Sequence, residues 1–521
     1  MEENRKIAKA AAVVGSATLL SRIAGLARDQ VMAYFFGTNS IAAQAFVVAF
    51  RIPNLLRRLL AEGALTVAFV PVFTQTMAEG GKPAAARLFS GMFSLLALAL
   101  LLVCALGVAF TPQIVLLIAP GFREAPELFS TTVFLARLLF PYILFMGLGA
   151  LFMGALNASG RFAAPALAPF ISNLAMIAGT CLLSPHLEMP IMGLIIGTMA
   201  GGLLQLAIQL PSLRRCGLIL MPSLDFRSPA IKKILFLMGP AALGAAVYQL
   251  SVFINTILGS FLPEGSIPML YYADRLMQFP LGIFTMAIGA AALPALARQS
   301  AQGDHDGFIQ SARFALGLSF FITIPAMAGL LVLAKPLVAF LFERGEFTHE
   351  SSLGTAAALR AYVIGLPFLS GAGILARVFY SRSNTKTPTL IAMASLGAGS
   401  VCAVLLMWPF QHVGLALASS VSSTVNFFWL YTIILARENG FPQKEMLKEI
   451  SSYFLLAALM GLAVYPFGQW AESAAGFYAL AFRTLAGVAA GIAVYMGLSI
   501  LTRRPHVKPV LNIIKRKLGR G

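Results

Sequence analysis

Fourteen apolar segments of membrane-spanning length constrain this chain more than any other feature of its sequence. A helix of about 20 apolar residues crosses the hydrocarbon core of a bilayer. Of the 521 residues, 59% are hydrophobic and 11% are charged, whereas a soluble domain carries about 25% charge. The sequence therefore predicts an all-α polytopic membrane protein with fourteen transmembrane helices. The segments lie at 8–36, 41–79, 88–119, 130–157, 163–184, 190–213, 230–262, 266–298, 307–342, 351–380, 387–409, 412–436, 449–470 and 477–502.

Basic residues near the ends of these segments and in the loops predict the orientation. If the N-terminus is cytoplasmic, the cytoplasmic loops and tails hold 26 lysines and arginines, and the outer loops hold two, Arg123 and Arg344. Lys and Arg accumulate on the cytoplasmic side of membrane proteins. Both termini are therefore expected in the cytoplasm. The same distribution accounts for the net charge of +18 without nucleic acid as a partner.

The first six segments resemble the next six. AFVPVFTQTMAEGG at 68–81 aligns with AALPALARQSAQGD at 291–304, so that Pro71 matches Pro294. Because six is even, the two units have the same orientation, which is the plan of transporters built from parallel repeats. We expect an N-lobe at 1–217, a C-lobe at 218–440, and two additional helices with a basic tail at 441–521.

Charged residues occur inside the predicted spans, where they are rare. A charge at the centre of a span costs about 2.5–3.5 kcal/mol on insertion scales, so such residues face a polar cavity or each other. Residues 17–62, which cover most of the first two segments, contain five arginines and only two acids, Asp29 and Glu62. The excess of about three positive charges needs another partner. Guanidinium groups match the geometry of phosphate and carboxylate, which indicates an anionic ligand.

Four arginines are predicted to line a cationic cavity between the lobes and to bind this anionic ligand as the substrate: Arg22, Arg28, Arg57 and Arg275. Five neighbours are predicted to support them or to act in gating: Ser21, Asp29, Asn54, Glu62 and Asp274. The alternative is that the charges form structural pairs within the spans. The pairs in question are Arg28–Asp29, Arg58–Glu62 and Asp274–Arg275.

Enzyme signatures are missing from the sequence. It contains no Gly-rich loop ending in Lys-Ser or Lys-Thr, which ATP sites of that kind require. Its four cysteines and five histidines show no metal-ligand spacing. We therefore predict a transporter with no catalytic residues, no metal and no cofactor, driven by an ion gradient, the membrane potential or the substrate gradient.

Several stretches resemble the MurJ (MviN) lipid II flippases of bacteria, a family within the multidrug/oligosaccharidyl-lipid/polysaccharide exporter superfamily. They include SRIAGLARD at 21–29, AFRIPNLLRRLLAEG at 49–63 and MLYYADRLMQFP at 269–280. The resemblance covers essentially the whole chain. It implies two six-helix lobes, with the last two helices forming a groove for an isoprenoid tail.

The resemblance also implies the substrate and the location. The family moves lipid II, an undecaprenyl-diphosphate-linked disaccharide-pentapeptide, from the inner to the outer leaflet of the cytoplasmic (inner) membrane for peptidoglycan synthesis. Cell-wall synthesis proteins are the implied protein partners. The diphosphate is the anion that the excess arginines require. One departure matters, because many relatives have an acid where this chain has Gln44. A gating or proton role of that acid cannot be transferred to this chain.

Three other functions remain open at this point. A flippase for another polyprenyl-diphosphate-linked oligosaccharide would need the same cationic cavity. A drug or cation antiporter on the same scaffold would instead favour an acidic or aromatic cavity. An ion channel or structural scaffold would not need a two-lobe repeat with two added helices.

Overall fold

The computed structural model describes residues 2–56, 65–218, 223, 228–438 and 441–508. Almost all of the described chain is helical, which confirms the predicted all-α class. The helices, in chain order, are α1 Glu2–Phe36, α2 Ile41–Leu56, α3 Thr66–Ala109, α4 Thr111–Ile118, α5 Pro126–Leu139, α6 Tyr142–Ala158, α7 Ala163–Leu183, α8 Ile191–Ala207, α9 Leu210–Arg215, α10 Pro229–Gly259, α11 Ser266–Pro280, α12 Met286–Gln302, α13 His305–Phe342, α14 His349–Ile364, α15 Leu366–Ser381, α16 Lys386–Arg437, α17 Gln443–Glu472 and α18 Phe477–Leu501.

Eight helical stretches of the described chain are long and apolar enough to cross a membrane; two of them, Pro126–Ala158 and Ile191–Arg215, each join two consecutive helices, α5 with α6 and α8 with α9. The number is nine if α14 and α15, which meet at a bend of 42°, form one span. The protein is therefore a multi-pass membrane protein. The charge-bearing helices α1 and α11 are not among the eight, and the total of fourteen spans stays a prediction.

Two long helices contain breaks near the predicted segment boundaries. In α3, Gly81 has φ 67° and ψ −170°, a conformation that costs little only for glycine, and Pro83 follows it. In α16, Gln411 has φ 49° and ψ −132°. The Gln411 break separates the predicted segments 387–409 and 412–436. The sequence also predicts that the second segment is kinked or broken at Pro53 and Gly63; α2 continues through Pro53 to Leu56, and Gly63 lies outside the described residues.

The chain divides into two compact units. One comprises Met1–Pro268 with Arg344–Phe347, and the other comprises Met269–Glu343 with Thr348–Gly521. In the first unit, α10 packs against α3, so the unit extends beyond the repeat boundary expected at residue 217. The division into repeat lobes therefore stays a prediction about the sequence, distinct from these contact-based units.

The first unit is built on close contact between α7 and α8, and on α1, which packs against α7. Glycines allow the backbones of α7 and α8 to approach. A Cβ on Gly179 would lie 2.6 Å from the carbonyl oxygen of Gly193, and a Cβ on Gly197 would lie 2.7 Å from that of Ala175. Small residues at such contacts are typical of helix packing in membranes. This packing sets the position of α7 beside the charged face of α1.

The second unit is organised around α13, which contacts α12, α14, α15, α17 and α18. Aromatic side chains fill its core. Phe320 lies edge-to-face with Phe427 of α16, and Phe321 lies edge-to-face with Tyr453 of α17. A π-helical turn, Leu281–Thr285, joins α11 to α12 immediately after Pro280. Proline removes a backbone donor, which accounts for a local change in helical pitch.

Candidate anion-binding site

Arg28 and Asp29 of α1 form a buried ion pair. The Arg28 guanidinium donates to Asp29 Oδ1 through Nη2 at 2.6 Å and through Nε at 3.1 Å. The two residues are 8% and 2% exposed. A buried pair of this kind compensates the desolvation of both charges, and removal of one partner is costly. This geometry realises the Arg28–Asp29 pair that the sequence offers as the structural alternative.

A second contact orients the same guanidinium from α7. Arg28 Nη1 donates to Asn173 Oδ1 at 3.1 Å, and Met176 Sδ lies 4.0 Å from Nη1. The Asn173 amide nitrogen in turn donates to the carbonyl oxygen of Ser21 at 3.3 Å. Ser21 therefore takes part in this contact through its backbone carbonyl oxygen. Sequence reasoning missed Asn173, although NLAM at 173–176 places an amide inside an otherwise apolar segment.

Arg22 differs from Arg28 in its surroundings. Its side chain is half-buried, six residues before Arg28 on α1. Among the described residues it has no hydrogen-bond or ion-pair partner. A guanidinium that is partly removed from water without a carboxylate carries an unsatisfied charge. This is the local environment that an incoming anion would stabilise.

Helix α2 contributes Asn54, which is half-buried, and Arg51, whose Nη1 donates to the hydroxyl of Thr256 on α10. The predicted residues Arg57 and Glu62 lie outside the described residues, and so does Arg58. Gln44, also on α2, is buried, and its amide donates to the Asn39 carbonyl oxygen at 3.3 Å. Gln44 therefore closes the turn between α1 and α2.

The remaining predicted residues, Asp274 and Arg275, lie half-buried on α11 in the second unit. Arg275 Nη2 donates to the Tyr271 hydroxyl at 3.2 Å, and its guanidinium carbon lies 5.2 Å from the centre of the Tyr271 ring. Asp274 accepts a hydrogen bond from the Gln278 amide. The Tyr271 side chain thus supports Arg275. The grouping of Arg22 and Arg28 with Arg275 stays a prediction.

One arginine outside the predicted site is also half-buried in the second unit. Arg377 lies in α15, and its guanidinium occupies the space beside Gly289 of α12 that a Cβ would fill. Nη1 donates to the Gly373 carbonyl oxygen at 3.1 Å, and Nη2 lies 3.7 Å from Met286 Sδ. Within the described parts of the chain it has no carboxylate partner. Arg377 therefore belongs with the half-buried cations of the second unit.

Comparisons with known proteins identify the family. A family model described as "Lipid II flippase MurJ" matches residues 32–486. The probable lipid II flippase MurJ of Vibrio cholerae is 38% identical over 435 residues, which are 82% of this chain and 83% of the relative. The lipid II flippase MurJ of Burkholderia cenocepacia is 36% identical over 81% of this chain and 83% of its own length.

Solved structures agree with this assignment. A lipid II flippase MurJ in an inward closed conformation is similar with a TM-score of 0.80 at 27% identity, over 94% of this chain and 98% of that chain. An inward-facing multidrug resistance MATE transporter is similar with a TM-score of 0.69 at 15% identity, over 82% and 99%, which supports the fold alone. The predicted resemblance and the prediction of a transporter rather than an enzyme are confirmed. The chain belongs to the family of MurJ lipid II flippases.

Proposed function

We propose that this protein flips lipid II from the cytoplasmic to the periplasmic leaflet of the bacterial inner membrane by alternating access. Family membership supports the substrate, and the half-buried Arg22 without a partner among the described residues is the observation that carries the binding chemistry. The lipid II diphosphate is a dense anion with oxygens that match guanidinium donors. Transport then requires this headgroup site to face each leaflet in turn.

In this proposal, the two arginines of α1 have different roles. Arg22 supplies an uncompensated charge that attracts the diphosphate. Arg28 is already neutralised by Asp29 at 2.6 Å, so it can bind the substrate only by sharing or exchanging that carboxylate. The exchange makes binding reversible, because Asp29 recovers Arg28 when the headgroup leaves. Arg57 and Arg275 complete the proposed site, and Ser21, Asn54, Glu62 and Asp274 support it.

The proposal includes the finer architecture that the sequence predicts. Fourteen spans in two parallel six-helix lobes would place the site between the lobes, with both termini in the cytoplasm. Helices α17 and α18, which follow the repeats, would hold the isoprenoid tail. Cell-wall synthesis proteins that use the product in the outer leaflet are proposed partners.

Replacement of individual arginines tests the proposal. In a strain depleted of its lipid II flippase, Arg28→Ala and Arg275→Ala should fail to restore growth and outer-leaflet lipid II, while blots still detect each variant in the membrane. Arg215→Ala, which removes an exposed arginine at the end of α9, is the matched control and should restore both. Full rescue by both site variants would contradict the proposal that these arginines bind the diphosphate. Rescue of growth by wild type without lipid II in the outer leaflet would contradict the substrate.

A further inference from the structure

Asn173 connects α7 to α1 through both ends of its amide. Its oxygen accepts from Arg28 Nη1 at 3.1 Å, and its nitrogen donates to the Ser21 carbonyl oxygen at 3.3 Å. The second bond fixes which end of the amide faces Arg28, because only the nitrogen can donate to a carbonyl. The acceptor offered to the guanidinium is therefore set by the backbone of α1 itself.

Asn173 and Asp29 hold different edges of the Arg28 guanidinium. Asp29 receives hydrogen bonds from Nε and Nη2, while Asn173 receives one from Nη1. The carboxylate neutralises the arginine, whereas the amide accepts a hydrogen bond and leaves the positive charge intact. An anion that replaces Asp29 would still find the guanidinium oriented by Asn173.

We propose that Asn173 is a positioning residue for the diphosphate of the substrate, acting through Arg28. This inference rests on the proposed function. While Asp29 gives up Arg28 to the diphosphate, Asn173 keeps the guanidinium plane aligned and anchors it to α7. The position of α7 is itself set by close packing on α8, so the amide is held by a rigid element.

Binding of lipid II to the purified full-length protein tests this inference. Asn173→Ala should weaken binding about tenfold, as expected for a lost hydrogen bond to a charged group. Asn173→Asp should weaken it further, because a second carboxylate on the same guanidinium competes with the diphosphate. Asn173→Gln, which keeps the amide on a longer side chain, should bind better than the alanine variant.

Two further measurements separate positioning from a general loss of stability. In an Arg28→Lys background, Asn173→Ala should cause little additional loss, since coupled residues do not act additively. Gln209→Ala removes another buried amide of the same unit, whose nitrogen donates to the Gln205 carbonyl at 2.9 Å, and should leave lipid II affinity unchanged. The melting temperature of each variant shows whether a loss of lipid II affinity is accompanied by a loss of stability.

The outcomes distinguish this inference from the function on which it rests. If wild type binds lipid II and the alanine and aspartate variants bind it equally well, the positioning role is wrong and the proposed function stands. An undiminished effect of Asn173→Ala in the Arg28→Lys background, or an equal loss in Gln209→Ala, would also overturn the positioning role. If wild type itself does not bind lipid II, both proposals fail.

Discussion

Arg28 donates two hydrogen bonds to one oxygen of the adjacent Asp29, from Nη2 at 2.6 Å and from Nε at 3.1 Å, in the interior of the first unit. Two charges held this way stabilise each other only as a pair. The same arginine is proposed to bind substrate, so the pair links the stability of α1 to transport.

Loss of Asp29 alone should destabilise the protein more than loss of the whole pair. Asp29→Ala leaves a buried guanidinium uncompensated and should lower the free energy of unfolding by about 3–5 kcal/mol. The double variant Arg28→Met with Asp29→Leu removes both charges and should be closer to wild type in thermal denaturation. Both proteins should be inactive in transport. An Asp29→Ala protein as stable as wild type would contradict the role assigned to the pair.

Replacement of Gly197 should disturb the contact between α7 and α8. An alanine Cβ there would meet backbone atoms of α7, the Ala175 carbonyl oxygen at 2.7 Å and Met176 Cα at 3.0 Å. We expect Gly197→Ala to cost about 1–3 kcal/mol, as is usual for overpacking. Because α7 carries Asn173, lipid II binding should fall as well.

The control for this variant is Gly397→Ala in α16. No atom lies within 4 Å of the Cβ that it would add. Because alanine has a higher helix propensity than glycine, the Gly397→Ala protein should be as stable as wild type or more stable by up to about 1 kcal/mol. Thermal denaturation of the two purified variants gives the comparison, and equal melting temperatures would show that the α7–α8 contact tolerates a methyl group.

His506, beyond the end of α18, should make stability depend on pH. The residue is 3% exposed, and its Nδ1 lies 2.8 Å from the Tyr453 hydroxyl oxygen. Burial lowers the pKa of His506 below its usual 6.5, although Glu449 opposes this shift and Arg313 adds to it. The unfolded chain therefore binds a proton at a higher pH than the folded chain does. The stabilising contribution is complete above the unfolded pKa and is lost as the pH falls through the folded pKa.

Melting temperatures of wild type and His506→Asn check this prediction. Wild type should lose more stability than the variant as the pH falls from about 7.5 to about 5.5, the range around the ordinary histidine pKa. The difference between the two proteins cancels the contribution of the other histidines. Parallel curves for the two proteins would rule out His506 as the titrating group.

Because Arg382 pairs with Glu438, we predict that lysine cannot replace arginine at position 382 without a loss of stability. Both guanidinium Nη atoms contact the carboxylate, with Nη2 at 2.8 Å from Oε2, and the group lies 4.4 Å from the centre of the Phe308 ring. Lysine can reproduce neither the fork nor the stacking. Arg382→Lys should therefore lower the free energy of unfolding by about 1 kcal/mol, the upper range for a partly exposed pair. Arg437→Lys, at an exposed position of α16, should be neutral in the same denaturation measurement.

Much of the fold follows from hydrophobic length. The segments predicted at 163–184 and 477–502 appear as Ala163–Leu183 and Phe477–Leu501. Segments predicted separately, such as 387–409 and 412–436, are instead joined in one helix whose break is confined to Gln411. Hydropathy locates apolar length but does not distinguish a loop from a sharp local break in a helix.

The candidate site was only partly predictable for a different reason. The Arg28–Asp29 pair is local, so it could be proposed from adjacent positions in the sequence. The contact of Arg28 with Asn173 joins residues 145 positions apart and depends on how α1 and α7 pack. Likewise, Arg377 lies near the end of an apolar segment, and the close approach of Gly289 that partly buries it is a tertiary feature.

The π-helical turn Leu281–Thr285 determines the angular phase of the two helices that it joins. A π turn contains one more residue than an α turn, so every side chain of α12 is rotated by about 100° relative to an uninterrupted α-helix. Because the turn absorbs this extra residue, α12 keeps the phase that it would have in a continuous α-helix one residue shorter. Substitutions that convert the turn to regular α-helix at the same residue count should therefore rotate the apolar stripe of α12 away from α13 and α15, whereas deletion of one residue from the turn should preserve the phase.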